Sequence, residues 1–483
     1  MATEHFDVLI IGAGLSGIGA GYHLQTKCPT KRFVILEGRD AIGGTWDLFR
    51  YPGIRSDSDM FTLGYSFKPW TEPKAIADGP RILNYVQETA RDNGIESKIR
   101  FNHRVKSASW SSKDSRWTVE VERGPSQEIA HLTCNFLFRC SGYYSYEGGY
   151  LPEFPGADQF TGRIVHPQKW TPDIDYAGKR VVVIGSGATA VTLVPEMAKT
   201  AAHVTMLQRS PTYVVARPAE DALANKLRSR LPAKLAYHMI RWRNVLFGMY
   251  FFQLCRRKPD VARKMILGAA RKQLPPDYDI GTHFTPHYNP WQQRLCLVPD
   301  GDLFNAIRDG RASVVTRTID TFTPKGIRLS DGSELDADLI VTATGLNLQV
   351  LGGMQVSVDG RKVDFANTLN YKGMMYSDVP NLASSFGYTN ASWTLKCDLT
   401  CEYVCRLINY MDKRGYKQCI PRNTDPEVKQ ENWLDFTSGY VQRSVAKMPK
   451  QGSKRPWKLY QNYALDIVTL RLGKVDDGVM VYK

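Results

Sequence analysis

Several patterns that would assign this 483-residue sequence to other classes of protein are missing from it. No run of about 18 apolar residues occurs, so a membrane-spanning helix is not expected. The sequence does not start with a charged-then-apolar leader, so export is not expected either. It has no fixed-period repeat, no low-complexity tract and no recognisable nucleic-acid-binding module. Together with a mean hydropathy of −0.34, these absences indicate a globular cytoplasmic protein of two or three domains.

The nine cysteines are scattered along the chain and include no Cys-x-x-Cys pair. This argues against a disulfide framework, a zinc ribbon and a redox-active dithiol, and it suits a reducing compartment. Cys397, Cys401 and Cys405 lie four residues apart, on one face of a helix expected over residues 393–414 and ended by Gly415. We interpret them as a buried stripe of small side chains rather than a metal site, and no metal is expected elsewhere.

Positive charge is concentrated in one segment of the chain. The formal net charge is +15, and residues 216–273 alone contain 14 Lys and Arg against three Asp and Glu. This segment has helical spacing and a mostly apolar stretch at 245–255, which leaves two interpretations open. It could contact an anionic membrane surface, or it could be a lid whose apolar face packs inwards and whose basic face meets water. We favour the lid.

An apolar run at residues 6–11 enters Gly12-x-Gly14-x-x-Gly17, and a second apolar strand pattern ends in Glu37. This order is typical of a β-α-β unit that binds a dinucleotide. Gly12 permits the tight turn, Gly14 lets the backbone approach a pyrophosphate, and Gly17 packs the helix on the strand. A carboxylate at the end of the second strand accepts hydrogen bonds from ribose hydroxyls, so Glu37 predicts an unphosphorylated ribose, as in FAD.

A second unit of the same kind begins at Gly185-x-Gly187-x-x-Ala190. Its second strand ends in Arg209-Ser210 instead of a carboxylate. A carboxylate would repel a 2′-phosphate, whereas a guanidinium can form a bidentate contact with it, so this site predicts NADPH. Two dinucleotide sites in one chain imply a flavin that takes hydride from NADPH. Because no dithiol is present to receive the electrons, O2 is the expected acceptor.

The two units predict an α/β protein with two Rossmann-like dinucleotide-binding domains, one for FAD and one for NADP, and a helical insert. Residues 327–335 are expected to form a hairpin, and the apolar strand within residues 337–345 is expected to complete the first sheet. The expected domains are a discontinuous FAD-binding domain at 1–145 and 337–483, a discontinuous NADP-binding domain at 155–215 and 288–336, and a basic helical insert at 216–287.

Along its whole length the sequence resembles class B flavin monooxygenases of the Baeyer–Villiger type. The pattern Phe-x-Gly-x-x-x-His-x-x-x-Trp at residues 160–170 is similar to the fingerprint of that family, which also lies between its two nucleotide motifs. The family usually has Pro or Asp after the Trp, where this chain has Thr171. A second family pattern, Gly-Gly-x-Trp-x-x-x-x-Tyr-Pro-Gly-x-x-x-Asp, matches residues 43–57 without exception. His166 and Trp170 are expected to couple the domains.

The resemblance implies an FAD-containing, NADPH- and O2-dependent enzyme that converts ketones to esters or lactones through a C4a-peroxyflavin. Oxidation of sulfides and thioamides is expected as a further activity. Arg294 matches the catalytic arginine that stabilises the peroxide anion, and Asp57 matches the acid that holds this arginine in place. From spacing alone, Asp57 would be a helix N-cap and Arg294 a surface residue.

The resemblance also assigns contacts to the two cofactors. Some members of the family have Lys immediately before the catalytic Arg, where it helps to hold the 2′-phosphate. Here Gln293 occupies that position, so the preference for NADPH would depend mainly on Arg209. The residues that match FAD contacts are Ser16, Gly44, Thr45, Trp46, Asp47, Asp57 and the Val105 backbone. The residues that match contacts to the NADP pyrophosphate are Ser186, Ala188 and Thr189.

Three other functions stand as alternatives. The first is a sulfur- or nitrogen-oxidising flavin monooxygenase without ketone activity, and the second is an NADPH oxidase that releases hydrogen peroxide. The third is a membrane- or nucleic-acid-binding protein that retains only the nucleotide folds, with residues 216–273 as its binding surface. The sequence specifies neither the ketone or sulfide substrate nor the oligomeric state.

Overall fold

The computed structural model describes residues 3–434 and 436–483, and it begins with a parallel β-α-β unit. Strand β1 (Glu4–Ile11) pairs with β2 (Phe33–Leu36), and helix α1 (Leu15–Lys27) connects them. Apart from short 3-10 turns, the next elements are α2 (Thr45–Leu48), α3 (Met60–Leu63), α4 (Gly79–Asp92), β3 (Ile99–Arg100), β4 (His103–Ser111), β5 (Arg116–Arg123) and β6 (Glu128–Arg139).

These strands belong to a nine-stranded sheet in which the parallel unit continues into an antiparallel meander. β6 joins the two parts, because its first half pairs antiparallel with β5 and its second half pairs parallel with β1. Val8 and Ile10 of β1 point into one hydrophobic core, whereas Leu9 and Ile11 point into another. The strand is therefore buried on both faces, which explains its continuous apolar sequence.

The middle of the chain forms a second, five-stranded sheet that is parallel throughout. The elements of this part are β7 (Arg163–Val165), β8 (Arg180–Ile184), α5 (Ala188–Met197), β9 (His203–Gln208), β10 (Val214–Arg217), α6 (Ala222–Arg230), α7 (Ala233–Arg257), α8 (Pro259–Arg271), α9 (Ile280–Phe284), β11 (Cys296–Pro299), α10 (Asp302–Arg308), β12 (Ala312–Thr316), β13 (Ile319–Thr323), β14 (Gly326–Leu329), β15 (Glu334–Asp336) and β16 (Leu339–Thr342). The strand order is β12-β9-β8-β16-β7, and β10 pairs with β11 separately.

The position of β16 corrects one prediction from the sequence. The strand is present as expected, and the hairpin before it forms from β14 and β15. However, β16 pairs with β7 and β8 of the second sheet, so the expectation that it completes the first sheet is wrong. A short, fully apolar strand fits the centre of either sheet, and composition alone does not distinguish between them.

The last part of the chain returns to the first sheet and packs helix α11 against α1. Its elements are β17 (Gln355–Val358), β18 (Arg361–Lys362), β19 (Asn370–Tyr371), β20 (Met375–Tyr376), β21 (Leu382–Ser384), α11 (Trp393–Arg414), β22 (Cys419–Pro421), β23 (Gln430–Asn432), α12 (Gly439–Gln442), β24 (Lys450–Gly452), α13 (Tyr463–Asp466), a π-helical stretch (Ile467–Leu472) and β25 (Met480–Tyr482).

Helix α11 has the predicted bounds, and Gly415 ends it in the left-handed conformation with φ 73°. Cys397, Cys401 and Cys405 are all buried, and the thiol of Cys28, the residue directly after α1, donates to the Cys405 carbonyl oxygen at 3.6 Å. Within the described ranges, no group of three or more His, Cys, Asp or Glu side chains is placed to hold a metal ion. The three cysteines thus help to pack two helices of the first domain together.

The basic segment between the two halves of the second domain is helical, as predicted. Its longest helix, α7, packs one face against the rest of the molecule, where Ala236, Ile240 and Val245 are buried. The opposite face of α7 is exposed. Among the helices that the structure describes, none is both long and apolar enough to cross a membrane.

Candidate active site

A large cavity of about 950 Å³ lies between the two sheets and is lined by both glycine turns. Its volume is in the usual range for ligand sites. The predicted site residues that line it are Gly12, Gly14, Ser16, Glu37, Gly44, Thr45, Trp46, Asp57, Gly185, Ser186, Gly187, Ala188, Thr189, Arg209, Ser210 and Arg294. The remaining predicted site residues are buried behind its wall: Gly17, Asp47, Val105 and Ala190.

The first glycine turn requires glycine at the predicted positions. Gly12 has φ +101°, and a Cβ there would lie 2.8 Å from the Cys140 carbonyl oxygen. At Gly17, a Cβ would lie 1.8 Å from the Gly12 carbonyl oxygen, so α1 can approach β1 this closely only without a side chain. Gly14 faces Gly44, where a Cβ would lie 3.4 Å from the Gly44 Cα, so bare backbone of two loops borders the cavity.

Glu37 follows β2 and orders the same turn. Its carboxylate accepts hydrogen bonds from the Ala13 amide at 2.8 Å and from the Arg39 amide at 3.0 Å. Burial raises the pKa of this carboxyl above its ordinary value, although the two amides act in the opposite direction. The side chain lines the cavity, so it is in place to accept hydrogen bonds from a ribose diol.

Asp47 and Ser16 stabilise the walls of this part of the cavity. The Asp47 carboxylate is buried and forms ion pairs with Arg39 and with Arg50, the latter at 3.0 Å. Ser16 Oγ accepts a hydrogen bond from Trp393 Nε1 at 2.8 Å. This part of the cavity fits the adenine-dinucleotide half of FAD. It offers bare backbone and a helix N-terminus to a pyrophosphate, and a carboxylate to a ribose.

The second glycine turn has the same form but faces more open space. Gly185 has φ +136°, and a Cβ there would lie 2.4 Å from the Ala343 carbonyl oxygen. A Cβ at Gly187 would meet no protein atom within 4 Å, and this glycine lines the cavity. The fold therefore requires Gly185, whereas Gly187 keeps space free for a ligand. A pyrophosphate at the N-terminus of α5 fits that space.

A second arginine, which the sequence analysis missed, lies beside Arg209. The Arg317 amide donates to the Gln208 carbonyl oxygen at 3.0 Å, because β12 and β9 are neighbouring parallel strands. Arg317 also lines the cavity, and its guanidinium pairs with Asp331 at 3.1 Å. No local pattern marks this residue, since its position depends on strand pairing across more than a hundred residues. Two guanidinium groups here suit a 2′-phosphate.

Arg294 and Asp57 form an ion pair on the cavity wall, which confirms their predicted proximity. Arg294 Nε and Nη2 each lie 2.7 Å from Asp57 Oδ2, although 237 residues separate them in sequence. The Asp57 carboxylate raises the pKa of Arg294 further above its high ordinary value, so the guanidinium stays charged. The helix N-cap alternative for Asp57 is wrong, because Asp59 caps α3 by accepting from the Thr62 amide.

The loop that carries Asp57 also joins the two domains. Gly53 has φ +72°, and a Cβ there would lie 2.8 Å from the Glu196 Cβ on α5. Two residues later, Arg55 forms an ion pair with Asp302 at the start of α10. The loop thus leaves the first sheet and packs on the second domain, which brings Asp57 to Arg294.

Two tyrosines that the sequence analysis did not single out, Tyr143 and Tyr440, line the cavity close to Arg294. Burial raises the pKa of Tyr143 to about 12, and it raises the pKa of Tyr440 as well. Both hydroxyls therefore stay neutral at physiological pH and do not oppose the positive charge of Arg294. Tyr143 lies in a loop and Tyr440 on the short helix α12, both outside any motif, so the sequence contains no signal for them.

The predicted fingerprint segment lies outside the cavity wall. His166 Nδ1 accepts a hydrogen bond from the Gln168 amide at 3.2 Å, so Nε2 carries the proton and donates to the Gly345 carbonyl oxygen at 3.1 Å. Burial lowers the pKa of His166, which favours this neutral form. Trp170 packs edge-on against Tyr176. His166 thus connects the segment after β7 to the turn that follows β16, and Trp170 packs within the second domain.

Apolar side chains cover the cavity near the ion pair. Phe386 and Leu434 line the cavity and belong to one buried cluster. Trp291 packs against this cluster, and Phe252 of α7 covers it with a ring-centroid distance of 5.6 Å. The inner face of α7 therefore packs behind the apolar wall of the cavity without lining the cavity itself.

Known proteins resemble this chain at the level of family, sequence and fold. Residues 64–241 match the family model described as flavin-binding monooxygenase-like, and residues 10–71 match the NAD(P)-binding Rossmann-like domain. The FAD-containing monooxygenase EthA of Mycobacterium tuberculosis is 56% identical over 476 residues, which cover 98% of this chain and 97% of that protein. The probable FAD-binding monooxygenase AlmA of Acinetobacter baylyi is 48% identical over 479 residues, or 99% and 96% of the two chains.

The solved structure of an oxidized steroid monooxygenase bound to NADP aligns over 99% of both chains. The TM-score is 0.78 at 23% sequence identity. At this level of identity the likeness concerns the fold. It confirms the predicted architecture of two Rossmann-like domains of the flavin monooxygenase type.

Proposed function

Because the chain belongs to the FAD-containing, class B flavin monooxygenases, we propose that it is a Baeyer–Villiger enzyme that acts on ketones. It would use NADPH and O2 to place one oxygen atom between the carbonyl carbon and a neighbouring carbon, which gives an ester or a lactone. The other oxygen atom leaves as water, and NADPH supplies two electrons. Sulfides and thioamides are further substrates in this proposal.

The cofactors are FAD and NADPH, and residues around the two glycine turns would hold them. FAD, once reduced by NADPH, supplies the activation of O2. Gly14 would border the FAD pyrophosphate, and Glu37 would accept its ribose hydroxyls. Gly187 would border the NADPH pyrophosphate, while Arg209 would hold the 2′-phosphate.

The observation that carries the ketone proposal is the Arg294 guanidinium, which Asp57 holds in the same cavity as both glycine turns. Attack of activated oxygen on a carbonyl places negative charge on oxygen, first on the nucleophile and then on the tetrahedral adduct. A cation that is already oriented stabilises both charges without reorganisation. Removal of one such group typically lowers the rate by roughly 10²–10³.

The same cation helps to separate ketone oxidation from sulfur oxidation. The sulfur of a sulfide attacks a protonated, electrophilic oxidant, whereas a ketone carbonyl is attacked by a deprotonated, nucleophilic one. A fixed positive charge favours the deprotonated form, because it lowers the pKa of a nearby acid. Because Tyr143 and Tyr440 are neutral, they do not oppose the effect of Arg294 on the pKa of the oxidant.

The test is to incubate the holoenzyme with NADPH, ¹⁸O2 and a panel of linear and cyclic ketones of graded size, with a thioether in parallel. We expect esters or lactones that carry one labelled oxygen atom. Arg294→Ala should lower ketone oxidation by roughly 10²-fold or more, with the rate of flavin reduction by NADPH unchanged. Arg308→Ala is the matched control, because Arg308 is half-exposed on α10 and does not line the cavity.

Other outcomes would assign a different function. Full ketone oxidation by Arg294→Ala would contradict the role given to this arginine. Oxidation of the thioether without conversion of any ketone would assign the sulfur-oxidising alternative. Hydrogen peroxide in near-stoichiometric yield with every substrate would assign an NADPH oxidase.

A further inference from the structure

Helix α7 carries large apolar side chains on the face that points away from the protein. Leu235, Met239, Trp242, Leu246 and Tyr250 are between 39% and 66% exposed. They follow one another at intervals of four, three, four and four residues, so they form one line along the helix. At a rise of 1.5 Å per residue this line, the outer stripe, is about 22 Å long.

The outer stripe is not the face that covers the active site. Ala236, Ile240 and Val245 are buried on the opposite side of α7, and Val245 packs with Tyr388 of the cavity wall. A helix that packs only inwards presents polar side chains to water on its other face. The lid interpretation therefore explains the inner face of α7 but not the exposed outer stripe, of which Trp242 contacts Tyr463 with a ring-centroid distance of 5.9 Å.

Helix α8, which follows α7 after a single residue, also exposes large apolar side chains. Val261 and Met265, one helical turn apart, are 47% and 53% exposed. The outer stripe and these two residues together are called the outer patch below. With Phe247, which is 53% exposed, these two consecutive helices expose eight large apolar residues. That is more than the scattered apolar residues of an ordinary surface, and such patches mark interaction sites.

Exposed basic side chains lie on the same helices as the outer patch. Lys234, Arg257, Lys258 and Lys264 are exposed on α7, on α8 or at the junction between them. Acidic residues are few in this segment, where 14 Lys and Arg stand against three Asp and Glu. One of these acids, Asp221, is already paired with Arg243. The outer patch thus combines exposed apolar side chains with positive surroundings.

An anionic lipid surface matches both features better than a second copy of the chain does. Two copies related by a two-fold axis would bring the same basic residues face to face, and like charges across an interface are costly. At an anionic bilayer, apolar side chains enter the headgroup boundary while Lys and Arg stay at the level of the phosphates. Trp and Tyr, both present in the outer stripe, are enriched at that boundary.

We propose that the outer patch of α7 and α8 docks this protein onto membranes that contain anionic lipids. Since no helix in the described part of the chain can span a bilayer, the contact is peripheral. It weakens as salt concentration rises, because part of it is electrostatic. Each basic residue close to the surface contributes roughly a five-fold change in affinity.

The experiment is co-sedimentation of the holoenzyme with vesicles of phosphatidylcholine and phosphatidylglycerol (7:3) and with vesicles of phosphatidylcholine alone. We expect at least ten-fold tighter binding to the anionic vesicles, and release at high salt. The double variant Leu246→Ser/Tyr250→Ser should bind both kinds of vesicle less well, by roughly ten-fold or more. Lys234→Gln/Lys264→Gln should bind only the anionic vesicles less well, by roughly 25-fold.

Ile129→Ser is the matched control, because Ile129 is apolar and 49% exposed but lies on β6 of the first sheet. It should bind vesicles like the wild type, and all variants should keep their FAD content and melting temperature. Absence of wild-type binding to anionic vesicles would overturn the proposal, as would an equal loss in Ile129→Ser. Sedimentation velocity provides a further test. If the wild type is a dimer that Leu246→Ser/Tyr250→Ser dissociates, the outer patch is an interface between copies and the proposal is wrong.

Discussion

Replacing Asp57 with Asn should impair ketone oxidation without preventing NADPH from reducing the flavin. Asn has nearly the same shape as Asp but lacks the negative charge that orients Arg294. The guanidinium keeps its own charge in this variant, since an arginine does not lose its proton in water-accessible sites. What is lost is its fixed position beside the reacting oxygen atoms.

The expected magnitude follows from the geometry of the pair. Both Arg294 Nε and Nη2 lie 2.7 Å from one carboxylate oxygen. Breaking a fully buried pair costs about 3–5 kcal/mol. These side chains are 37% and 31% exposed to the cavity, so solvent screening reduces the cost to about 2 kcal/mol. If the transition state bears this cost, the rate falls about 30-fold, since 1.36 kcal/mol corresponds to a factor of ten.

The assay combines stopped-flow measurement of flavin reduction with steady-state formation of ester and hydrogen peroxide. We expect unchanged reduction, slower ester formation and more peroxide. Asp302→Asn is the control, because it breaks the neighbouring ion pair with Arg55 at the same domain boundary while Asp302 does not line the cavity. Wild-type ester formation by Asp57→Asn would refute the reasoning. So would an equal kinetic defect in Asp302→Asn, because the effect would then reflect the boundary and not the charge.

Two further predictions concern the NADPH site. Arg209→Ala should raise the KM for NADPH by roughly ten-fold or more and leave the KM for NADH nearly unchanged. The reason is that only NADPH has a 2′-phosphate, whose charged contact with Arg209 is lost. Equal changes in steady-state kinetics with both nucleotides would contradict this prediction. Gly187→Ala should fold normally but bind NADPH weakly. Gly185→Ala should melt at a lower temperature, because Gly185 has φ +136° and an added Cβ would lie 2.4 Å from a backbone oxygen, whereas Gly187 has neither constraint. Thermal melting with and without NADP⁺ checks both variants, and equal melting temperatures without nucleotide would show that the steric argument is wrong.

The nucleotide turns could be predicted from the sequence because their signals are local. Gly12 and Glu37 occupy fixed offsets in one β-α-β unit, and Gly185 and Arg209 occupy them in another. Their conformations depend on neighbours that are close in the chain or in the adjacent strand. The structure accordingly places all four residues on the cavity wall.

The features that sequence reasoning missed depend on contacts between distant residues. Arg317 reaches the second site only because β12 pairs with β9. β16 was assigned to the wrong sheet because an apolar strand fits either one. Helix α7 is apolar on two faces, so its periodicity predicts a helix but not which face packs inwards. Arg294 and Asp57, 237 residues apart, were paired through family resemblance, since spacing carries no information at that distance.

The ion pair between Arg294 and Asp57 crosses the boundary between the two domains. Asp57 extends from the first domain on a loop, whereas Arg294 lies two residues before β11 in the second. The oriented charge therefore depends on residues of both domains. The loop reaches Arg294 because Gly53 packs on α5 and Arg55 pairs with Asp302, so contacts with α5 and α10 set the position of the Asp57 carboxylate.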